Sequence, residues 1–297
     1  TRLRTVTGVQ TCALPIFLIY MSLKNHHAFR SWHYSDFRFF SLARLSLTMG
    51  IMMQSVLNGY IVYQYTKDPW SLGLLGLAEA IPAISVGLYG GYVADKYNRK
   101  KIILLFIGLM IAASCMLTYF NFNKEVVFTN YGVMPYYVFT AIIGVCRGFL
   151  ASGITAFGAQ LVPKELYANM ASWNSTLWYA GAISGPAIGG FIYDAKGAGI
   201  SALAYTCLMG IAFISYVFIP PKPVAKDFKS ESIWDSLKEG IRFVRYNRIL
   251  LSALSLDLFA VLLGDAIVLL PAFANEVLHI DAHGVGVLRA EIGRAHV

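Results

Sequence analysis

Long apolar segments alternate with short polar connections along most of the 297-residue chain. A helix needs about 20 mostly apolar residues to cross the hydrocarbon core of a bilayer. Inside lipid the backbone must satisfy its own hydrogen bonds, so segments of this length are helices rather than open strands. The pattern predicts an all-α membrane protein with seven spanning helices, at residues 39–65, 71–94, 102–120, 135–162, 171–193, 200–219 and 250–273.

Composition supports a protein embedded in a lipid bilayer. Hydrophobic residues make up 57% of the chain and charged residues 13%, about half the share in soluble domains. The net charge of +8 comes from cations in the connections rather than from one basic stripe, so we expect no nucleic-acid partner. The four cysteines show no metal-ligand spacing, and we expect no metal site.

Positive charge is unevenly distributed among the connections. The segment before the first span, the second-to-third connection and the segment 220–248 are cationic, whereas the connections expected on the opposite side carry only Lys67, Lys124 and Lys196. The fourth-to-fifth connection, with Lys164 as its one cation, is uninformative. Cytoplasmic loops carry the excess of Lys and Arg. This distribution predicts a cytoplasmic N-terminus.

The segment 220–248 divides the chain. It opens with Pro220-Pro221 and continues with apolar residues at helical spacing, Ile233, Trp234, Leu237, Ile241 and Val244. Such a helix is expected to lie along the membrane surface. We therefore predict a six-helix transmembrane half at 21–219, a cytoplasmic amphipathic linker at 220–248, and the start of a second half at 249–290.

The two ends of the chain look foreign. Residues 11–16 can be encoded by DNA whose reverse complement, read one frame over, encodes residues 292–297. Residues 6–16 also look like a translated sequencing-library adapter. We expect 1–16 and 292–297 to be non-native segments, with Met21 as the natural start and the natural protein continuing past the end of this sequence.

The second-to-third connection has the form G-x-x-x-D-K-x-x-R-K, carried by Gly91, Asp95, Lys96, Arg99 and Lys100. This string resembles the signature between the second and third helices of the major facilitator superfamily, a class of secondary transporters. The resemblance implies the major facilitator fold of two six-helix halves, of which the chain holds the N-terminal half plus the first helix of the second half. The linker at 232–245 and residues 256–260 resemble the siderophore- and drug-exporter-like branch.

In that family the connection gates transport. The resemblance implies that Asp95 joins a charge network that latches the two halves on the cytoplasmic side, with its partner in the missing C-terminal half. Gly91 is expected to permit a close approach of helices. Asn98 stands where the family has glycine, and asparagine tolerates positive φ better than most residues.

A second motif lies in the fifth predicted span. Gly181, Gly185 and Gly189 share one helix face and would let a neighbouring backbone approach. Pro186 is expected to kink the helix, and Gly190 completes the motif. With G-P and G-G at these offsets, it resembles the fifth-helix motif found in exporters of the family, where the motif is associated with antiport. The alternative is that these small residues serve only helix packing.

Ionisable residues within spans are candidates for function because burying them in lipid is costly. Arg147 loosely resembles a fourth-helix arginine associated with proton transfer, although a structural pair with a neighbouring helix is the alternative. A carboxylate at Glu79 would exchange a proton or bind a cationic substrate. Asp265 is expected to bear on substrate choice, whereas Asp257 fits the family pattern and would also suit a structural role.

These features together predict a proton-coupled exporter of small amphipathic molecules, drugs or siderophores, in a bacterial cytoplasmic membrane. It would work by alternating access with a proton gradient and no cofactor. The chain has no phosphate-binding loop and no hydrolase motif, so no enzyme activity is expected. The alternatives are a symporter that imports a small polar solute and a membrane scaffold that transports nothing.

Overall fold

The structure is a computed structural model that describes residues 28–222, 238, 242–264 and 269–295. The fold is all-α, as predicted: the regular elements in these residues are helices and two 3-10 turns, Arg30–His33 and Lys164–Leu166. The helices are α1 Ser35–Thr66, α2 Pro69–Lys96, α3 Arg99–Phe122, α4 Lys124–Tyr131, α5 Met134–Ala159, α6 Tyr167–Phe218, α7 Arg248–Gly264, α8 Leu270–Glu276 and α9 Ala282–Ala295.

The first six predicted spans coincide with α1, α2, α3, α5 and the two arms of α6. The arms meet at Gly197, whose φ of 81° and ψ of 179° interrupt the helix, and glycine adopts such angles without a side-chain clash. Within the described residues, five segments are long and apolar enough to cross a membrane, and one of them, Lys164–Phe218, has 55 residues. That length suffices for two crossings at about 20 residues each.

The seventh predicted span, 250–273, lies partly outside the described residues. Its described parts are α7, Arg248–Gly264, and the start of α8 at Leu270, with residues 265–268 outside the described part. α4 and α9 were not predicted, because neither contains an apolar window of spanning length. Most of the predicted linker helix also lies outside the described residues, although 242–246 are helical.

Two caps fix where α2 and α3 begin. Asp68 accepts hydrogen bonds from the backbone of Trp70 and Ser71, at 3.1 and 3.2 Å, and so satisfies two free donors of the first turn of α2. Asn98 does the same for α3 through Lys101 N at 3.3 Å. Its φ is −63°, so the expectation that Asn98 serves a positive φ is wrong, and its side chain is used as a cap instead.

Packing is dominated by helix pairs that are distant in sequence. α1 packs mainly against α6, α2 against α5, α3 against both α5 and α6, and α9 against α6. The main core includes Phe37, Phe40, Ile107, Phe157 and Tyr216, which are fully buried.

The bundle has two ends, because successive spans run in opposite directions. The Lys96 end comprises residues 96–99, 159–167 and 218–222, and the Gly197 end comprises 66–69, 122–134 and 194–198. At the Lys96 end, Lys222 Nζ lies 2.6 Å from Asp36 Oδ2. Lys100 Nζ donates to the Val217 carbonyl at 2.8 Å, where a cation complements the C-terminus of α6.

Candidate functional site

A cavity of about 640 Å³ lies among α1, α2, α5, α8 and α9. Most of its wall is aliphatic or glycine, and the aliphatic part includes Ile51, Leu75, Ile143 and Val285. Its polar lining residues are Gln54, Ser55, Asn58, Glu79, Thr140, Arg147, Ser152 and Arg289. A largely apolar pocket with a few convergent polar groups is the usual form of a small-molecule site.

Glu79 and Arg147 form an ion pair on the wall of this cavity, between Glu79 Oε1 of α2 and Arg147 Nη1 of α5. The Glu79 side chain is 19% exposed and that of Arg147 is 36% exposed. Both residues were predicted as ionisable groups within spans, and the structure brings them together. The pair offers a carboxylate that can take up a proton and an arginine that responds to its charge.

Two glycines of α5 make this pairing possible. A Cβ on Gly144 would meet the backbone carbonyl and carbon of Glu79, and one on Gly148 would lie 2.5 Å from Ala83 O. Real Cβ atoms do not approach backbone atoms so closely, so α2 and α5 can be this near only where both side chains are absent. These glycines flank Arg147 in sequence, and the close approach of the two backbones sets Arg147 beside Glu79.

Arg289 of α9 also lines the cavity, so the charged lining residues are two arginines and one glutamate. Asp265 lies outside the described residues. Asp257 lies in α7, but its side chain is outside the described part. Their roles therefore stay predictions.

Gly181, Gly185 and Gly189 face α1, as their spacing predicted. A Cβ on these residues would lie 2.9 Å from Thr48 Cβ, 2.6 Å from Met49 O and 2.6 Å from Met53 Cγ respectively. All three glycines are buried. This face of α6 thus works as a small-residue packing surface against α1.

The other two residues of this motif face α9 instead. A Cβ on Gly190 would collide with the Ala282 carbonyl, and one on Gly286 of α9 would collide with the Pro186 carbonyl. The Asp194 carboxylate accepts a hydrogen bond from His283 N at 2.9 Å in the same interface. The motif therefore joins α6 to two partners, α1 inside the six-helix half and α9 beyond the linker.

The three cations of the G-x-x-x-D-K-x-x-R-K motif, Lys96, Arg99 and Lys100, lie at the Lys96 end. Arg99 and Lys100 contact neighbouring helices, and Lys96 contacts its own helix. Arg99 Nη1 donates to Ala156 O at 3.4 Å, and Lys100 reaches α6. Lys96 Nζ donates to the Tyr92 hydroxyl at 3.4 Å, and this contact raises the pKa of Lys96. The side chain of Asp95 lies outside the described residues, so its latch role stays a prediction.

Gly91 has no close neighbour within the described part of the chain, so its expected helix contact stays a prediction. A Cβ on Gly91 meets no described atom within 4 Å, whereas one on Gly90 would lie 3.0 Å from Gly148 O. The close contact thus falls one residue earlier, because the helix turns Gly90 rather than Gly91 towards α5.

Several residues of the site were not predicted. Gln54 and Asn58 lie one turn apart in α1 and face the cavity together, a spacing of four that the sequence does display. Arg44, an ionisable residue inside the first predicted span, was also overlooked, although it does not line the cavity. Its Nε is buried and makes no hydrogen bond to a described residue.

Comparison with known proteins identifies the family. Residues 40–290 match the family model described as Major Facilitator Superfamily. The chain belongs to this superfamily. Most of the span region is included in the match, in agreement with the resemblance seen in the sequence.

Curated proteins similar to this chain carry the name Enterobactin exporter EntS. The proteins from Shigella dysenteriae serotype 1 (strain Sd197) and Escherichia coli O1:K1 / APEC are each 27% identical to it over 278 residues. These alignments cover 91% of this chain and 61% of each relative. The chain therefore spans less than two thirds of the length of these relatives.

Solved structures agree on the fold. A bacterial homolog of the human lysosomal transporter Spinster has a TM-score of 0.65 at 13% identity, covering 87% of this superfamily chain and 60% of its own. A D-xylose–proton symporter has a TM-score of 0.59 at 15% identity, covering 88% and 66%. The chain is thus a multi-pass membrane protein of the major facilitator fold.

Proposed function

We propose that the whole protein exports small amphipathic molecules across a bacterial cytoplasmic membrane in exchange for protons. The observation that carries this proposal is the Glu79–Arg147 ion pair on the wall of the cavity. An ionisable pair inside a membrane-spanning bundle is costly to maintain and marks an ion or substrate pathway. No cofactor is needed, since the proton gradient supplies the energy.

The pair couples protonation to the charge of the cavity. When Glu79 is ionised, its charge and that of Arg147 cancel. When Glu79 takes up a proton, the charge of Arg147 is left uncompensated in a largely apolar cavity beside Arg289. A cationic molecule is then disfavoured, because like charges repel strongly at low effective dielectric, and a neutral apolar molecule is disfavoured because it would displace water from an unpaired charge. Protonation thus expels such a substrate, which is the linkage that antiport requires.

The same pair predicts the opposite linkage for an anionic substrate. An anion would compete with Glu79 for Arg147, so protonation of Glu79 would strengthen its binding. That linkage belongs to symport. The charge of the transported molecule therefore decides between the proposed antiport and the alternative of proton-coupled uptake.

In an alternating-access cycle, one motif would close the pathway at the Lys96 end and another would close it at the Gly197 end. We place the cationic Lys96 end in the cytoplasm by the positive-inside rule, and Asp95 would latch the two halves there. The α6–α9 contact through Gly190 and Gly286 would close the pathway towards the Gly197 end. A second half of the same protein would complete the cavity.

The substrate class follows from the lining and from the relatives. The wall combines aliphatic side chains with hydrogen-bonding groups, which suits an amphipathic molecule. Because the curated relatives are named as enterobactin exporters, enterobactin is the first substrate to test, with the dye ethidium as a drug-like cation.

The test uses the whole protein in proteoliposomes with the pH dye pyranine inside. Antiport predicts that enterobactin or ethidium added on the substrate side drives proton movement in the opposite direction. Glu79→Gln should abolish this proton movement, whereas Glu125→Gln, which changes an exposed carboxylate of α4, should leave it intact. Proton movement in the same direction as substrate would establish symport, and wild-type coupling in Glu79→Gln would exclude the pair from coupling.

A further inference from the structure

Three uncharged side chains form a polar subsite on the wall of the cavity: Gln54 and Asn58 of α1 and Thr140 of α5. Their exposed fractions are 2%, 3% and 6%. Gln54 Nε2, Asn58 Oδ1 and Thr140 Oγ1 make no hydrogen bond to any residue in the described part of the chain. A buried polar atom without a hydrogen bond destabilises the fold, so three in one cavity wall indicate a binding function.

The subsite offers a donor and an acceptor on separate atoms. Gln54 Oε1 lies 3.4 Å from Ser114 Oγ, whose hydroxyl also lies 3.2 Å from Met209 Sδ, and Gln54 Nε2 is the donor without a partner among the described residues. Asn58, one helical turn further along, leaves an acceptor, Oδ1. The Thr140 hydroxyl rotates and serves either role.

The α1 part of this subsite carries no charge. The charged lining residues Glu79, Arg147 and Arg289 come from α2, α5 and α9, whereas α1 contributes uncharged side chains to the cavity. A ligand group that binds along α1 is therefore recognised by hydrogen bonds rather than by ion pairing.

We propose that Gln54, Asn58 and Thr140 recognise an uncharged amide group on an apolar substrate. The amide oxygen accepts from Gln54 Nε2 and the amide N–H donates to Asn58 Oδ1, with Thr140 supplementing either bond. A donor on Gln54 and an acceptor one helical turn away on Asn58, both without a partner among the described residues, match an amide, whose acceptor and donor are also separate atoms. This assignment deepens the proposed function and rests on it, because it takes the cavity as the substrate site.

Substrate recognition and proton coupling then depend on different residues. Residues of α1 bind the uncharged part of the substrate, and the Glu79–Arg147 pair between α2 and α5 couples binding to protons. Loss of the subsite should weaken binding without changing the number of protons exchanged per molecule.

The experiment compares two probes of nearly equal shape, benzanilide and phenyl benzoate, which differ in having an amide N–H or an ester oxygen. Binding to the whole protein in detergent is measured by equilibrium dialysis, with no proton gradient. Wild-type protein should bind benzanilide about fivefold more tightly, since one net hydrogen bond is worth about 1 kcal/mol. Asn58→Leu should remove this preference by weakening benzanilide alone.

A matched pair of threonine variants controls for packing. Thr140→Val should weaken benzanilide binding several-fold. Thr118→Val makes the same chemical change at a residue that is 8% exposed, does not line the cavity, and is paired with Thr206 at 3.0 Å. It should leave both affinities unchanged.

Equal affinity of the wild-type protein for the two probes, or binding of neither, overturns the assignment without recourse to any variant. Equal losses in Thr140→Val and Thr118→Val also overturn it. An amide preference in a protein that shows no proton coupling would leave the subsite standing and remove only the proposed antiport.

Discussion

The Tyr63 hydroxyl donates a hydrogen bond to the Glu276 carboxylate and so ties the end of α1 to the end of α8. Tyr63 is 1% exposed. Nearby, Lys67 Nζ donates to Asn275 Oδ1 at 3.3 Å. These contacts join the six-helix half to the segment beyond the linker at the Gly197 end, where the α6–α9 contact also lies.

Loss of this hydrogen bond should loosen the Gly197 end. For Tyr63→Phe we expect a cost of about 1 kcal/mol, less than is usual for a bond to a charged group, because Glu276 is exposed. That corresponds to about a fivefold shift from closed towards open protein. Distances between spin labels at Thr66→Cys and Asn275→Cys measure the two populations.

Tyr65→Phe is the control for this prediction. Tyr65 lies on the same helix and stacks on Phe128 with ring centroids 3.8 Å apart, a contact that phenylalanine retains. Equal distance distributions in Tyr63→Phe and wild type would show that the bond does not hold this end closed.

A side chain at Gly144 should separate Glu79 from Arg147. The Cβ of Gly144→Ala would collide with the Glu79 backbone, and such overpacking costs about 1–3 kcal/mol. We expect a lower thermal midpoint and loss of coupling. Gly73→Ala, in α2 with no described atom within 4 Å of the added Cβ, should be neutral or stabilising; a normal Gly144→Ala would refute the close-approach argument.

Removing Arg147 should abolish proton-driven flux and also destabilise the fold. Arg147→Met leaves Glu79 without its partner, which costs several kcal/mol when a pair is fully buried. We expect about 1–3 kcal/mol here, since the Arg147 side chain is 36% exposed. Adding Glu79→Gln to this variant should restore stability, measured by thermal unfolding, but should not restore proton flux, measured with pyranine. An unchanged pH dependence of flux in Arg147→Met would exclude Arg147 from coupling.

The charge latch predicted from sequence has its own test. Asp95→Asn in the whole protein should cripple transport while leaving membrane insertion intact, because the change removes charge but not size. Efflux assays and membrane fractionation measure the two effects. Normal efflux would remove the latch role.

Orientation can be tested with single cysteines in a cysteine-free background. Lys164 and Glu125 are both exposed, at the Lys96 end and the Gly197 end respectively. An impermeant maleimide added to intact cells should label Glu125→Cys and spare Lys164→Cys until the cells are opened. The reverse pattern would place the N-terminus outside.

Some features of the site could be predicted from sequence because their physical causes are local. Glu79 and Arg147 stand out as charges in apolar spans, and the spacing of Gly181, Gly185 and Gly189 places them on one helix face. Other features depend on which helix lies opposite. Gly91 and Gly90 look equivalent in sequence, yet Gly90 faces α5, and Asn98 caps α3 where positive φ was expected.

The sequence by itself determined the all-α membrane fold and the first six spans, since apolar length and backbone hydrogen bonding within each helix require no partner. The superfamily was indicated by the resemblance of the motif at 91–100 to the family signature. The tertiary structure decided that α2 meets α5 at Gly144, that Glu79 therefore pairs with Arg147, and that Gly190 faces α9. Those contacts join residues far apart in the chain, and their geometry depends on how two helix surfaces fit together.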